Sequence, residues 1–161
     1  MRFTKMLDLI TNVLNKDADT QVDVCLTSQM ADRIELWRRM YENRSPWVNG
    51  KDVLSASLAP AIASEIARLV TLELKSEVTG GPAADYLNGQ YQRKVLKDLR
   101  RYVEYGCAKG GLVMKPYITR QGIEVQFVQA DCFFPLSFDS SGRIIQCVFT
   151  EQFRKGQKIY T

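Results

Sequence analysis

The spacing of apolar residues changes at Gly110–Gly111, and this change constrains the fold more than any other feature of the chain. Before the two glycines, apolar residues recur at helical intervals of three and four. After them, apolar and polar residues alternate, most clearly in IEVQFV, residues 123–128. The sequence therefore predicts an α+β protein with N-terminal helices, one of them long, followed by an antiparallel β-sheet of hairpins.

Four helices are predicted, over 3–14, from Ser28 as N-cap, over 58–77 and, as the longest, over 83–108. Gly80 and Gly81 stop the third helix, and Pro82 suits the first turn of the fourth. The second helix is expected to bury Met30, Ile34, Trp37 and Tyr41, which share one face. The third is expected to be built on an apolar stripe of Ile62, Ile66, Leu69, Val70 and Leu74.

Strands are predicted at LVMKPYIT, IEVQFV and IIQCVFTEQF, with turns at RQG, SSGR and RKGQ, and KIYT begins a fourth strand. Because the chain stops there in mid-strand, we expect it to be a fragment of a longer gene product. The predicted organisation is a helical region over 1–80 and a long helix with strands over 81–161, packed together as one domain.

The stretch GCAKGGLVMKPY, from Gly106 to Tyr117, invites comparison with a phosphate-binding loop. Such a loop joins a strand to a helix and directs the helix N-terminus at the anion. Here the order is helix and then strand, so the glycines lie at a helix C-terminus, which repels anions. We predict a helix C-cap at this corner instead.

The composition excludes several kinds of active site. The chain has no histidine, which removes Ser/His and Cys/His catalysis and the commonest metal ligand. The cysteines form no CxxC pair, and we expect buried free thiols at Cys25, Cys107, Cys132 and Cys147.

A metal-dependent nuclease would need a carboxylate on the strand that precedes Glu124 and Gln126, and LVMKPYIT has none. Alternation on an exposed strand face explains these two residues without a metal. No catalytic, metal-binding or cofactor-binding residue is therefore predicted, and no cofactor.

The net charge of +4 is concentrated in the second half of the chain, where residues 81–161 hold 12 basic and 7 acidic side chains. A basic stripe on the long helix is either a solvated face or a surface for DNA phosphates or another subunit; its members are Arg93, Lys97, Arg100 and Arg101. Glu104 is the predicted partner of Arg100. Trp47, beside Pro46 in a loop, either folds back onto its own domain, which we favour, or serves an interface.

The order of several segments resembles the N-terminal part of portal proteins of tailed bacteriophages, particularly those of siphophages and prophages of Gram-positive bacteria. The segments are RIELWRRMYENRSPW, SLAPAIASEIARLVTLEL, VEYGCAKGGLVMKPYI and GIEVQFVQADCFFPLSFDSSGRIIQCVF. The similarity runs over most of the chain. Its most specific parts are the glycine corner Gly106–Gly111 with KPY, and FFPLSFDSSGRI.

The resemblance implies a structural role without enzymatic activity. Portal proteins form a homo-oligomeric ring, normally a dodecamer, at one vertex of the virion, and DNA is packaged and ejected through it. Expected partners are capsid and scaffold proteins, terminase and head-completion proteins, with assembly in the bacterial host cytoplasm and no membrane. This chain would be the outer wing, and the stem, clip, tunnel loop and crown would lie beyond Thr161. The alternative is a non-enzymatic DNA-binding or capsid-adaptor module that uses the basic stripe.

Overall fold

The computed structural model describes residues 3–16, 23–48, 54–151, 153–155 and 158–160. Its helices are α1 (Phe3–Leu14), α2 (Ser28–Tyr41), α3 (Leu58–Thr71), α4 (Ala84–Tyr91) and α5 (Leu99–Lys109), with a π-helical turn over Gln92–Leu96. Its strands are β1 (Leu112–Thr119), β2 (Gly122–Gln129), β3 (Phe133–Phe138), β4 (Ile144–Phe149), β5 (Phe153–Lys155) and β6 (Lys158–Tyr160). Consecutive strands pair as three antiparallel hairpins. The predicted α+β class, with helices before hairpins, is confirmed.

The chain forms two compact units that do not coincide with the predicted regions 1–80 and 81–161. One unit combines Met1–Leu36 with Ala130–Thr161, and the other is Trp37–Gln129. The first unit therefore joins the N-terminal helices to the last two hairpins. The second contains α3 to α5 and the first hairpin.

The core of the first unit lies around Phe134 of β3, which is completely buried. α1 contributes Met6 and Ile10 to this core, and α2 contributes Ala31 and Ile34. Full burial of a phenylalanine, methionine or isoleucine side chain stabilises the fold by about 1.5–3 kcal/mol. α1 and α2 are neighbours in sequence, whereas β3 follows α2 only after α3 to α5 and the first hairpin, so this core depends on long-range contacts.

α2 is capped by Thr27 and not by Ser28, the predicted N-cap. The hydroxyl of Thr27 accepts a hydrogen bond from the backbone N–H of Met30 at 3.2 Å, and its carbonyl accepts one from Ala31 at 3.0 Å. Thr27 and Ser28 both have a hydroxyl suited to capping, so sequence alone does not show which of them is the N-cap.

In the second unit, α3 packs against α5 through alanines. Ala63 and Ala67 are buried, and their small side chains let the two helices approach closely. The β1–β2 hairpin follows α5 directly, and the ring of Phe127 on β2 stacks on Tyr102 of α5 with centroids 4.1 Å apart. These contacts fix the helix-to-strand corner at Gly110.

The predicted long helix over 83–108 is helical but not continuous. The π turn after α4 holds one residue more than an α turn, and the helix is broken at Asp98, where φ is −110° and ψ is 2°. The extra residue rotates everything beyond it by about 100° around the axis. Within the π turn itself, Val95 is buried and Lys94 reaches Glu124 of β2.

Two other predicted boundaries are corrected. α3 ends at Thr71, six residues before the predicted end at Glu77. The single strand predicted over IIQCVFTEQF is divided into β4 and β5.

The first two predicted strands are confirmed as β1 and β2, whereas β3 is absent from the prediction. Pro135 lies inside β3, where it pairs with Cys147 beside an irregularity in register. A proline interrupts the usual strand pattern and is tolerated at such irregularities. KIYT is a strand over Lys158–Tyr160, while the turn residues 156–157 and residues 17–22 of the polar connector after α1 lie outside the described residues.

Candidate interaction surfaces

The glycine corner is a helix C-cap, as predicted. Gly110 has a φ of +84°, and its N–H donates to the carbonyl of Gly106 at 2.9 Å. A Cβ atom at Gly110 would lie only 2.7 Å from Cζ3 of Trp37. Glycine is therefore required twice, for the left-handed backbone and for the ring that covers it.

Neither tryptophan is buried in a core. Trp37, which was expected to be a core residue, rests on Gly110 and remains 41% exposed. Trp47 is 62% exposed, so the favoured prediction that it folds back onto its own domain is wrong. The loop after α2 buries the small side chain of Ser45 instead and leaves Trp47 at the surface.

All four members of the basic stripe are exposed: Arg93, Lys97, Arg100 and Arg101. Arg101 contacts Tyr105, whose hydroxyl accepts a hydrogen bond from Nε at 3.2 Å while the guanidinium carbon lies 5.8 Å from the ring centroid. The predicted pairing of Arg100 with Glu104 is wrong. Glu104 instead accepts a hydrogen bond from the hydroxyl of Tyr41 at 2.7 Å, because the ring of Tyr41 lies beside this side of α5, 5.9 Å from the ring of Tyr105.

Glu124, considered above as a nuclease residue, forms a half-buried salt bridge with Lys94. Its Oε1 lies 2.6 Å from Nζ of Lys94 in the π turn, which ties that turn to β2. Gln126 follows on the same strand, opposite Lys115 of β1. Within the described residues, no three His, Cys, Asp or Glu side chains lie close enough to bind a metal ion together.

The four cysteines are free thiols, but three of them are not buried as expected. Cys25, Cys107 and Cys147 are exposed, and Cys132 is half-buried. Cys25 lies in an extended segment beside β3, where its N–H donates to Pro135 and its thiol to the carbonyl of Leu136 at 2.9 Å. Apolar neighbours in sequence predicted burial, but these side chains lie on outer faces.

The main difference from prediction is the apolar face of α3. The contact with α5 uses the alanines, which leaves the large side chains on the adjacent face of the helix in solvent. Five of these we call the α3 stripe: Leu58 (66% exposed), Ile62 (53%), Ile66 (43%), Leu69 (57%) and Val70 (62%). Leu74, also predicted in the core, is 46% exposed and lies beyond the end of α3. A helix that is apolar on two faces does not reveal from sequence which one its own fold covers.

A groove of about 240 Å³ adjoins the α3 stripe between α2, α3 and α5. Its walls include Trp37, Met40, Ile62, Ile66 and Cys107. Tyr41 also lines it, and burial together with the carboxylate of Glu104 raises the pKa of Tyr41 well above its usual value near 10. The groove is therefore apolar, with a neutral phenol hydrogen-bonded at one edge.

A second apolar cavity, of about 200 Å³, lies between α4, the π turn and β2. Leu87, Val95, Ile123 and Val125 line it together with Val78. Asn88 closes one side, because its side-chain amide exchanges two hydrogen bonds with the backbone of Val78, at 2.6 and 2.7 Å.

None of the helices in the described part of the chain is long and apolar enough to cross a membrane. No protein-family model, no curated protein and no solved structure matches the chain.

Proposed function

We propose that the chain is the wing of a tailed-phage portal subunit, a structural component of the ring through which DNA is packaged and ejected. The observation that supports this most directly is the helix-to-strand corner. The segment with the most specific resemblance, Gly106–Gly111 with KPY, is the place where Gly110 caps α5 and the chain enters β1. The glycines that distinguish this segment thus permit the backbone geometry that the junction of helices and hairpins requires.

The exposed apolar surface also supports a role in assembly. The α3 stripe and Trp47 leave large side chains in solvent, as expected of a protein that works within a complex. A portal wing has neighbours on several sides, whereas an isolated module has no need of such surfaces.

The test is electron microscopy of the full-length gene product, combined with mass determination in solution. We expect rings with a central channel and a mass of about twelve subunits, consistent with closed cyclic symmetry. A gene product that stays a monomer or dimer at every salt concentration would refute the proposal.

The alternative, a DNA-binding or capsid-adaptor module, is favoured by one observation: the exposure of Arg93, Lys97, Arg100 and Arg101. Binding through phosphates predicts an affinity for duplex DNA that falls steeply with salt. Reversing the four charges should then abolish binding, whereas reversing Arg143 and Lys115 elsewhere should have little effect. Equal loss in both variants, or no binding at low salt, would remove this alternative.

A further inference from the structure

The α3 stripe has the shape of a helix-packing surface. At 100° per residue, its five members fall within about 120° of the helix circumference. They extend from Leu58 to Val70, which corresponds to about 18 Å of helix. A surface of this form fits a second helix of similar length with a matching apolar face.

The area of the stripe is sufficient for contact with an identical stripe. Each side chain is about half exposed, so each presents on the order of 100 Å² and the stripe about 500 Å². That is near the upper end of the apolar patches found on monomeric proteins. With a two-fold axis near Ile66, Leu58 lies beyond the end of the partner's α3, so four side chains of each copy meet and the contact would bury about 800 Å², which is the size of a weak interface.

We propose that the α3 stripe binds a second copy of this chain, with the two α3 helices antiparallel about a two-fold axis near Ile66. A two-fold contact requires a self-complementary surface. Ile66 would then contact Ile66 of the partner subunit, and Ile62 would lie opposite Val70 of the partner subunit. This inference rests on the exposed face of α3 and goes beyond the proposed portal function.

The charges beside the stripe favour the antiparallel arrangement. Within one copy, Glu65 and Arg68 form a bidentate pair, with Oε1 to Nη2 at 2.6 Å and Oε2 to Nε at 2.8 Å. With the axis near Ile66, Glu65 lies about 1.5 Å along the helix from Arg68 of the partner subunit, on the same flank. Two such pairs can therefore join into a four-residue network. A parallel arrangement puts the charged residues of the two copies on opposite flanks.

Sedimentation of the 161-residue chain over about 10 µM to 1 mM tests the proposal. The mass should rise from 18.4 kDa toward twice that value, as expected for a weak dimer with a dissociation constant of tens to hundreds of micromolar, roughly. Ile62→Lys should raise this constant roughly tenfold or more, because it sets a charge in the apolar contact. Ile118→Lys is the matched control: Ile118 is 85% exposed on β1, outside the stripe. It should leave the dimer unchanged.

Charge exchange tests the orientation. Glu65→Arg sets arginines of the two copies against each other and should weaken the dimer several-fold at low salt, with less effect at high salt. The double variant Glu65→Arg/Arg68→Glu restores opposite charges and should recover the original constant. Circular dichroism verifies that each variant is folded.

A chain that remains at 18.4 kDa over the whole range would overturn the proposal, as would a dimer that Ile62→Lys leaves intact. Failure of the double exchange to restore the dimer would refute the antiparallel arrangement.

Discussion

Replacing Gly110 with alanine should lower the free energy of unfolding by about 2–5 kcal/mol. Holding a non-glycine residue in the left-handed region, at the φ of +84° found here, costs about 1–2 kcal/mol. The new Cβ would also lie 2.7 Å from the ring of Trp37, which must move, and such overpacking costs about 1–3 kcal/mol. The two costs arise at one residue for different physical reasons, so they can be measured separately.

Gly81→Ala is the matched control for the backbone cost. Gly81 has a φ of +80°, and a Cβ there meets no atom within 4 Å. This variant should therefore lose only the conformational part, about 1–2 kcal/mol. Urea unfolding followed by circular dichroism gives the free energy for both variants from the same transition.

A double-mutant cycle isolates the contact with the ring. In a Trp37→Ala background the alanine at position 110 has no ring to displace, so Gly110→Ala should cost only its backbone part. The coupling between the two substitutions should be about 1–3 kcal/mol. If Gly110→Ala and Gly81→Ala destabilise the protein equally, the ring contact does not constrain the corner and the reasoning is refuted.

Three further predictions concern stability and its dependence on pH. Phe134→Ala should cost about 3–5 kcal/mol by urea unfolding, whereas Phe138→Ala, on the same strand but 45% exposed, should cost much less; equal losses would contradict the assigned core. Because folding raises the pKa of Tyr41, stability from this residue is complete below about pH 10 and is lost as pH rises through the folded pKa. Tyr41→Phe should remove that alkaline loss, and an unchanged pH profile would show that Tyr41 is not its source. The hydroxyl of Ser141 and the N–H of Arg143 lower the pKa of Asp139, so its contribution is present above pH 4 or so and is lost as pH falls through the folded pKa. Carboxyl NMR titration should show a pKa below 3.8 that Ser141→Ala raises; a pKa at or above 3.8 would contradict these hydrogen bonds.

Local chemistry explains what the sequence predicts well. The C-cap at Gly110 follows from residue type and helix-to-strand order, and the β1–β2 hairpin follows from alternation around a short turn. Both features depend on neighbours in sequence. Class and order of elements were therefore predictable, while the exact helix ends and the π turn were not.

The exposed surfaces could not be predicted from sequence, because α3 has two apolar faces and the sequence does not show which of them the fold covers. α3 is apolar around most of its circumference. Its alanines pack against α5 because they permit closer approach than isoleucine or leucine. Glu104 shows the same limit of prediction from sequence. It bonds to Tyr41, which is 63 residues away in sequence, and not to Arg100, which is four residues away. A single segment of sequence does not show which distant residues compete for the same partner in the folded protein.

The two proposals about self-association make one joint prediction, because a two-fold contact cannot build a ring. An isologous interface closes at two copies and leaves no free surface of the same kind, whereas a ring needs a head-to-tail interface between two different patches. If both proposals hold, the ring contact must lie outside the α3 stripe. Ile62→Lys, introduced into the full-length gene product, should then abolish any pairing of subunits through α3 and leave ring assembly intact by electron microscopy. Loss of the rings in this variant, with its fold retained, would assign the stripe to the ring interface and exclude the two-fold contact within the ring.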